Sequence, residues 1–214
     1  MKARAARTRR RTRIQIENEE RILDAALEVF AVSGFNGATI DQIGVAAGMS
    51  KPNLLYYFRT KEAIHRRLIE RLLETWLDPL RAFDADGDPI EEIRAYVRRK
   101  IEMARDFPRE SRLFADEILQ GAARIGDILR GPLRELVDEK AEVINAWITE
   151  GRLEPCDPHH LIFSIWAVTQ HYADFDVQVR AVLGEDRYDT SHFDKAAAFL
   201  DALYVRGLKP DANP

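Results

Sequence analysis

Residues 39–58, TIDQIGVAAGMSKPNLLYYF, constrain the fold more than any other part of the chain. Thr39 stands three residues before Gln42, the spacing of a capping box, and so opens a helix. Ile40, Ile43, Ala46 and Ala47 then recur at helical spacing and make one apolar face. Gly48 follows at a point where a left-handed residue ends a helix, a conformation glycine adopts without a Cβ clash. Ser50 is placed to cap a second short helix running through Leu55. Two helices joined by a few residues around a glycine form a helix-turn-helix, and in DNA-binding versions the second helix lies in the major groove.

The residues upstream agree with that expectation. Positions 1–13 carry Lys2, Arg4, Arg7, Arg9, Arg10, Arg11 and Arg13 with no acidic residue. A run with so little to bury does not fold alone. It is expected to be an arm that follows phosphates or enters the minor groove, the plainer alternative being a solubilising tail. No apolar h-region follows, so it is not read as a secretory signal. Residues 1–60 hold ten Lys and Arg against six Asp and Glu, whereas residues 61–214 hold 22 against 30. A basic head on an acidic body confines phosphate affinity to the head and orients it on DNA.

A chain of 214 residues with 46% hydrophobic content suits one or two globular domains. After a head of roughly 60 residues, enough chain remains for an independent core. No apolar run approaches the roughly 20 residues of a membrane span. The single cysteine, Cys156, excludes an internal disulfide and agrees with a reducing cytoplasm.

The remaining pattern is helical throughout. Ile22, Leu23, Ala26, Leu27, Val29 and Phe30 form a stripe that Gly34 ends, and this helix is expected beneath the two that follow. Thr60 is placed to cap a long bridging helix whose apolar face runs through Ile64, Leu68, Leu72, Leu73, Trp76, Leu77 and Leu80 to about Phe83. Further helices are expected from Ile90 to about Asp106, around Leu113 and Leu119, from Gly126 to Glu150 with an interruption at Gly131-Pro132, from Asp157-Pro158 to about Leu183, and from Thr190 or Ser191 to Gly207. No segment alternates with period two. The fold class is therefore all-α, with about nine helices. The expected organisation is a basic arm without fixed structure over residues 1–16, a helix-turn-helix domain over 17–62, a helical ligand-binding and dimerisation domain over 63–207, and a flexible tail over 208–214.

Enzyme signatures are missing: there is no Gly-rich phosphate loop, nucleophile elbow or HExxH. His159 and His160 are adjacent and point to different helix faces, so no metal site is expected. No catalytic residue and no cofactor are assigned.

The order of arm, three-helix head, bridging helix and helical body resembles the TetR family of transcriptional regulators. SKPNLLYYF at residues 50–58, followed by Lys61 and Glu62, is similar to that family's head signature; the departures are Pro52, where a small residue is usual, and Leu55, where a tyrosine is usual. WLDPL at residues 76–80, SRLF at 111–114, DEK at 138–140, DPHHLIF at 157–163 and TQHYADF at 169–175 resemble the RutR-type, pyrimidine-utilisation branch. The resemblance implies a dimeric regulator that binds double-stranded operator DNA and releases it on binding a small-molecule effector, uracil or thymine; a TetR-type regulator of a larger apolar effector is the alternative. Lys51 and Asn53, at the exposed start of the second helix, are expected to reach base edges, Thr39, Tyr56 and Lys61 to hold phosphates, and Ser50 to belong to the same DNA-binding set. Tyr57 is expected either in contact with DNA or in the core of the head. For the effector, Trp166 and Gln170 lie four apart on one helix face, and Gln170 offers a donor and an acceptor to a ring edge. Trp76 closes the site, and Leu73, Leu77, Phe114 and Phe163 complete the expected lining. The two last long helices, carrying Ile162, Ile165, Val168, Tyr172, Phe193, Phe199, Leu200 and Leu203, are the expected dimer surface, with plain core as their other role.

Overall fold

The computed structural model describes residues 12–184, 187–189 and 191–210. Most of the expected basic arm, residues 1–11, and residues 211–214 of the expected tail lie outside that set. All regular structure among the described residues is helical. The chain divides into two compact units, residues 1–68 and 69–214.

In the first unit, helix α1 spans Arg13–Gly37, earlier than the expected boundary at residue 16. The reason is a capping box: Thr12 accepts from the Gln15 backbone N–H, and the Gln15 side chain accepts from that of Thr12. Gly34, with φ of 63°, breaks this helix internally, at the position the sequence marks. Helices α2 (Ile40–Ala46) and α3 (Lys51–Tyr57) follow. Ile22, Leu23, Ala26 and Phe30 of α1 are buried with Ile43 of α2 and Leu54 of α3. Helix α4 spans Lys61–Arg81, and Thr60 accepts from the Ala63 backbone N–H at 3.1 Å, as its cap.

The second unit takes the remainder of α4 and the helices after it. Asp88 caps α5 (Pro89–Asp106) by accepting from Ile90 and Glu91, and α6 spans Pro108–Leu119. One expected helix is split by Gly131-Pro132 into α7 (Gly126–Ile128), a π-helical turn over Leu129–Leu133, and α8 (Arg134–Thr149). Proline lacks an N–H and its ring crowds the carbonyl four residues back, which widens the turn. Asp157 caps α9 (Pro158–Asp174) through the His160 N–H. The expected continuation to Leu183 is a separate helix, α10 (Asp176–Leu183), because Phe175 leaves helical geometry at φ −113° and ψ 29°. Helix α11 spans His192–Leu208.

Helix α5 is central, packed against α9 and α11, while α9 also meets α6 and α8. Its core holds Tyr96, Val97 and Ile101 with Trp147, Ile162, Ile165 and Leu200. Trp147 is buried, and its indole N–H donates to the Ala85 carbonyl at 2.9 Å. Ile162, Ile165 and Leu200 are therefore core of one chain, correcting their expected place on a dimer surface. Phe163, Phe199 and Leu203 remain about half exposed or more, at 47%, 64% and 50%. No helix among the described residues is long and apolar enough to cross a membrane.

Candidate nucleic-acid interface and effector cavity

The helix-turn-helix is built by close backbone approach. Gly48 takes φ of 62°, and a Cβ on Gly44 would stand 3.1 Å from the Met49 carbonyl oxygen. The Met49 N–H donates to the Gly44 carbonyl at 2.9 Å, closing the turn onto α2. Thr39 caps α2, and its hydroxyl accepts from the Gln42 N–H while lying 3.0 Å from the Gln42 side-chain oxygen. Leu54 is fully buried and anchors α3, leaving Ser50, Lys51 and Asn53 exposed on the same short helix. Ser50 stands at the N-cap without a side-chain cap bond, so its hydroxyl is not spent on the helix. The Lys51 ammonium pairs with Asp41 at 2.7 Å, with both side chains more than half exposed. Such a pair is worth little in water and yields readily to a phosphate or base edge.

Three expected contacts are tied to the scaffold. Tyr56 is 70% exposed, and its hydroxyl accepts from the Gln15 amide at 3.4 Å. Tyr57 is half-buried and accepts from the Asn18 amide at 2.8 Å, so it locks α1 to α3. The Lys61 ammonium donates to the carbonyls of Phe35 and Ala38 at 2.7 and 2.8 Å and lies 4.4 Å from the Phe35 ring centroid. Two of its three N–H groups thus fasten the end of α1, a role its sequence position alone does not suggest. Gln15 and Asn18 thus brace Tyr56 and Tyr57, contacts about forty residues apart that no local sequence pattern signals.

In the second unit, six of the seven expected effector residues line one cavity: Leu73, Trp76, Leu77, Phe114, Trp166 and Gln170. Lys100 and Leu133 join them, and the cavity measures about 50 Å³. Phe163 does not; it lines a neighbouring chamber of about 500 Å³ that shares Trp166 and Leu133. Trp76 and Phe114 meet edge to face at 6.0 Å. The Trp166 indole N–H donates to the buried Tyr96 hydroxyl at 2.6 Å, which fixes that ring as a wall. Burial also pushes the Tyr96 hydroxyl's pKa upward, so it stays a neutral partner.

The polar equipment of the cavity is sparse and unspent. Among the described residues nothing hydrogen-bonds the half-buried Gln170 amide. Lys100 is 6% exposed, and its ammonium lies 5.3 Å from the Trp76 ring centroid with no hydrogen bond from the described residues. Burial lowers its pKa from 10.5 to about 8, against the pull of Asp174. Burial in turn raises Asp174, which accepts a 2.5 Å hydrogen bond from Ser111 and feels Arg112 and Lys100 as opposing charges. A buried cation and an idle amide beside aromatic faces suit a flat ligand whose edge carries acceptors and at least one donor.

The helix-turn-helix of the first unit and the small polar-edged cavity of the all-helical second unit agree with a transcriptional regulator. The family described as "Bacterial regulatory proteins, tetR family" matches residues 22–68, and "YcdC-like protein, C-terminal region" matches residues 69–211. The chain is 44% identical over 203 residues to the HTH-type transcriptional regulator RutR of Escherichia coli strain K12, covering 95% of this chain and 96% of that protein. Its fold matches a TetR-like transcriptional regulator from Rhodococcus sp. RHA1, with a TM-score of 0.65 at 22% identity over 89% and 94% of the two chains. It also matches AibR in complex with isovaleryl coenzyme A and operator DNA, at 0.65 and 16% over 87% and 97%. The chain belongs to the tetR family of bacterial regulatory proteins, whose members bind operator DNA and small-molecule effectors and act as dimers; it is a DNA-binding regulator and not an enzyme.

Proposed function

We propose that this regulator is a repressor that holds a palindromic operator as a dimer in the cytoplasm and releases it when uracil or thymine fills the cavity. The observation that carries this reading is the meeting of aromatic faces with two unspent polar groups, Lys100 and Gln170, in a space of about 50 Å³. That volume holds roughly four waters, far below the ~300 Å³ at which sites for drug-sized ligands begin. A uracil ring presents two carbonyl acceptors and two N–H donors around one plane. Lys100, a pure donor, takes a carbonyl, and the Gln170 amide takes an adjacent N–H and carbonyl. Cytosine turns one carbonyl into an amine, which faces the ammonium donor to donor. The resemblance to the RutR-type branch points the same way.

The coupling works as a population shift. Leu73, Trp76 and Leu77 stand on α4, the helix that starts beside the recognition helix in sequence and continues into the effector unit. A ligand favouring one arrangement of α4 changes how often the two DNA-binding units of a dimer meet their half-sites. A coupling of roughly 2–3 kcal/mol lowers operator affinity about 30- to 150-fold. Fluorescence anisotropy on a palindromic site, selected by the protein from random DNA, tests this: uracil is expected to release it at micromolar concentration, and cytosine is not. Retention of the site at saturating uracil and thymine contradicts the reading. A larger apolar effector is the second reading, favoured only by the neighbouring chamber of about 500 Å³.

A further inference from the structure

The two chambers of the effector unit touch through a single partition. Both are lined by Trp166 and Leu133, and by no other common residue. Trp166 is held by its hydrogen bond to Tyr96 and is the fixed side of that partition. Leu133 is the other side: it is half-buried, makes only apolar contact, and is the last residue of the π-helical turn over Leu129–Leu133. The difference in size across it is large, about 50 Å³ inside and about 500 Å³ outside. The two sides also differ in chemistry. Inside stand the ammonium and the amide; the outer chamber is rimmed by Arg130, Arg134, Asp138 and His159, with His159 and Asp138 3.0 Å apart. The wall is otherwise mostly apolar, and the exposed rim pairs Asp138 with both His159 and Arg134, leaving a space wide enough for a substituent on the ring.

We infer that Leu133 is the residue that sets the size limit of the effector: it admits the free pyrimidine base and excludes the same base carrying a ribose. This inference rests on the inner cavity being the pyrimidine site. With the carbonyl edge of the ring engaged by Lys100 and Gln170, the ring nitrogen that bears the sugar in a nucleoside is left on another edge. Leu133 closes the path by which a substituent there would reach the outer chamber. Shortening Leu133 joins the chambers, so the base keeps its polar partners and the ribose gains a space of about 500 Å³ to occupy. Lining residues elsewhere in the inner cavity do not have this property, because none but Leu133 and the tethered Trp166 borders both spaces.

The test is calorimetric titration of the full-length protein and its Leu133→Ala variant with uracil and with uridine. Wild-type protein is expected to bind uridine at least a hundredfold more weakly than uracil. Leu133→Ala is expected to narrow the uracil-to-uridine ratio below ten; the ratio is the readout because the apolar wall that Leu133 gives the cavity is lost to both ligands alike. A ratio unchanged by the substitution overturns the size limit, as does a wild type that binds both alike. Loss of both ligands from a Leu133→Ala protein that melts as wild type does makes Leu133 a holder of the ring and not its size limit, which also overturns it. Failure of wild type to bind uracil at all is a different result: it removes the pyrimidine site itself, and the size limit with it.

Discussion

Lys100→Met is expected to make the protein more stable and to cost it its effector. A lysine whose pKa falls from 10.5 to about 8 on folding has been taken out of water without full compensation. A tenfold loss of proton affinity corresponds to ~1.4 kcal/mol, so the ammonium burdens the folded state by about 3 kcal/mol at neutral pH. Methionine keeps the length and the apolar stem while removing the charge. The second unit should therefore melt higher, by about 6–12 °C at ~2–4 °C per kcal/mol. The pH dependence gives a sign to check. Between pH 8 and 10.5 the unfolded chain holds the proton that the folded chain has released, so wild-type stability rises with pH across that window. The advantage of the variant is full below pH 8 and gone above about 10.5. Its effector binding should be lost throughout, because the thioether donates nothing to a carbonyl. A melting temperature that falls at pH 7 would make Lys100 a structural group. Unaltered uracil affinity would take it out of the site.

Gln170→Ala is expected to separate sensing from DNA binding. The amide is half-buried in the cavity wall and makes no bond within the described residues, so its removal leaves no orphaned partner in the apo protein. With the effector bound, the same removal strands an N–H and a carbonyl of the ring, at about 1–3 kcal/mol. The uracil concentration for half-release of the operator should rise about tenfold to a hundredfold. Operator affinity without effector should stay within about twofold, because Gln170 lies in the second unit and the recognition helix in the first. Anisotropy titrations of the two proteins on the same site make the comparison. An unshifted half-release point would move the effector elsewhere.

Much of this was legible in the residues. The capping box at Thr39 and the aspartate cap at Asp157 set helix starts, and Gly34 and Gly48 marked turns, because each is a local rule needing no distant partner. The π-helical turn was foreshadowed by Gly131-Pro132, since proline's missing donor is also local. The break at Phe175 was not: nothing in ADFDVQ at residues 173–178 forbids a helix. Trp166 and Gln170 were readable as one face of a helix, and their meeting with Trp76 and Phe114 followed the family resemblance. Lys100 was hidden. It follows Arg98 and Arg99, a run that reads as a solvated face, and only the packing that brings Trp76 of α4, Phe114 of α6 and Trp166 of α9 around one cavity encloses it. Lys61 was misleading in the opposite sense, because its carbonyl partners Phe35 and Ala38 lie more than twenty residues earlier. Leu133 carries no local signal in the sequence; its place on two chambers comes with the π turn that it ends.

The most direct measurement is calorimetric titration of the purified protein with uracil and thymine, with cytosine as the control. Saturable micromolar binding of the first two, at one site per chain, with cytosine at least a hundredfold weaker, is the predicted result. Equal binding of all three would contradict the ammonium-and-amide recognition, and binding of none would leave a tetR-family DNA-binding regulator whose effector is not a pyrimidine.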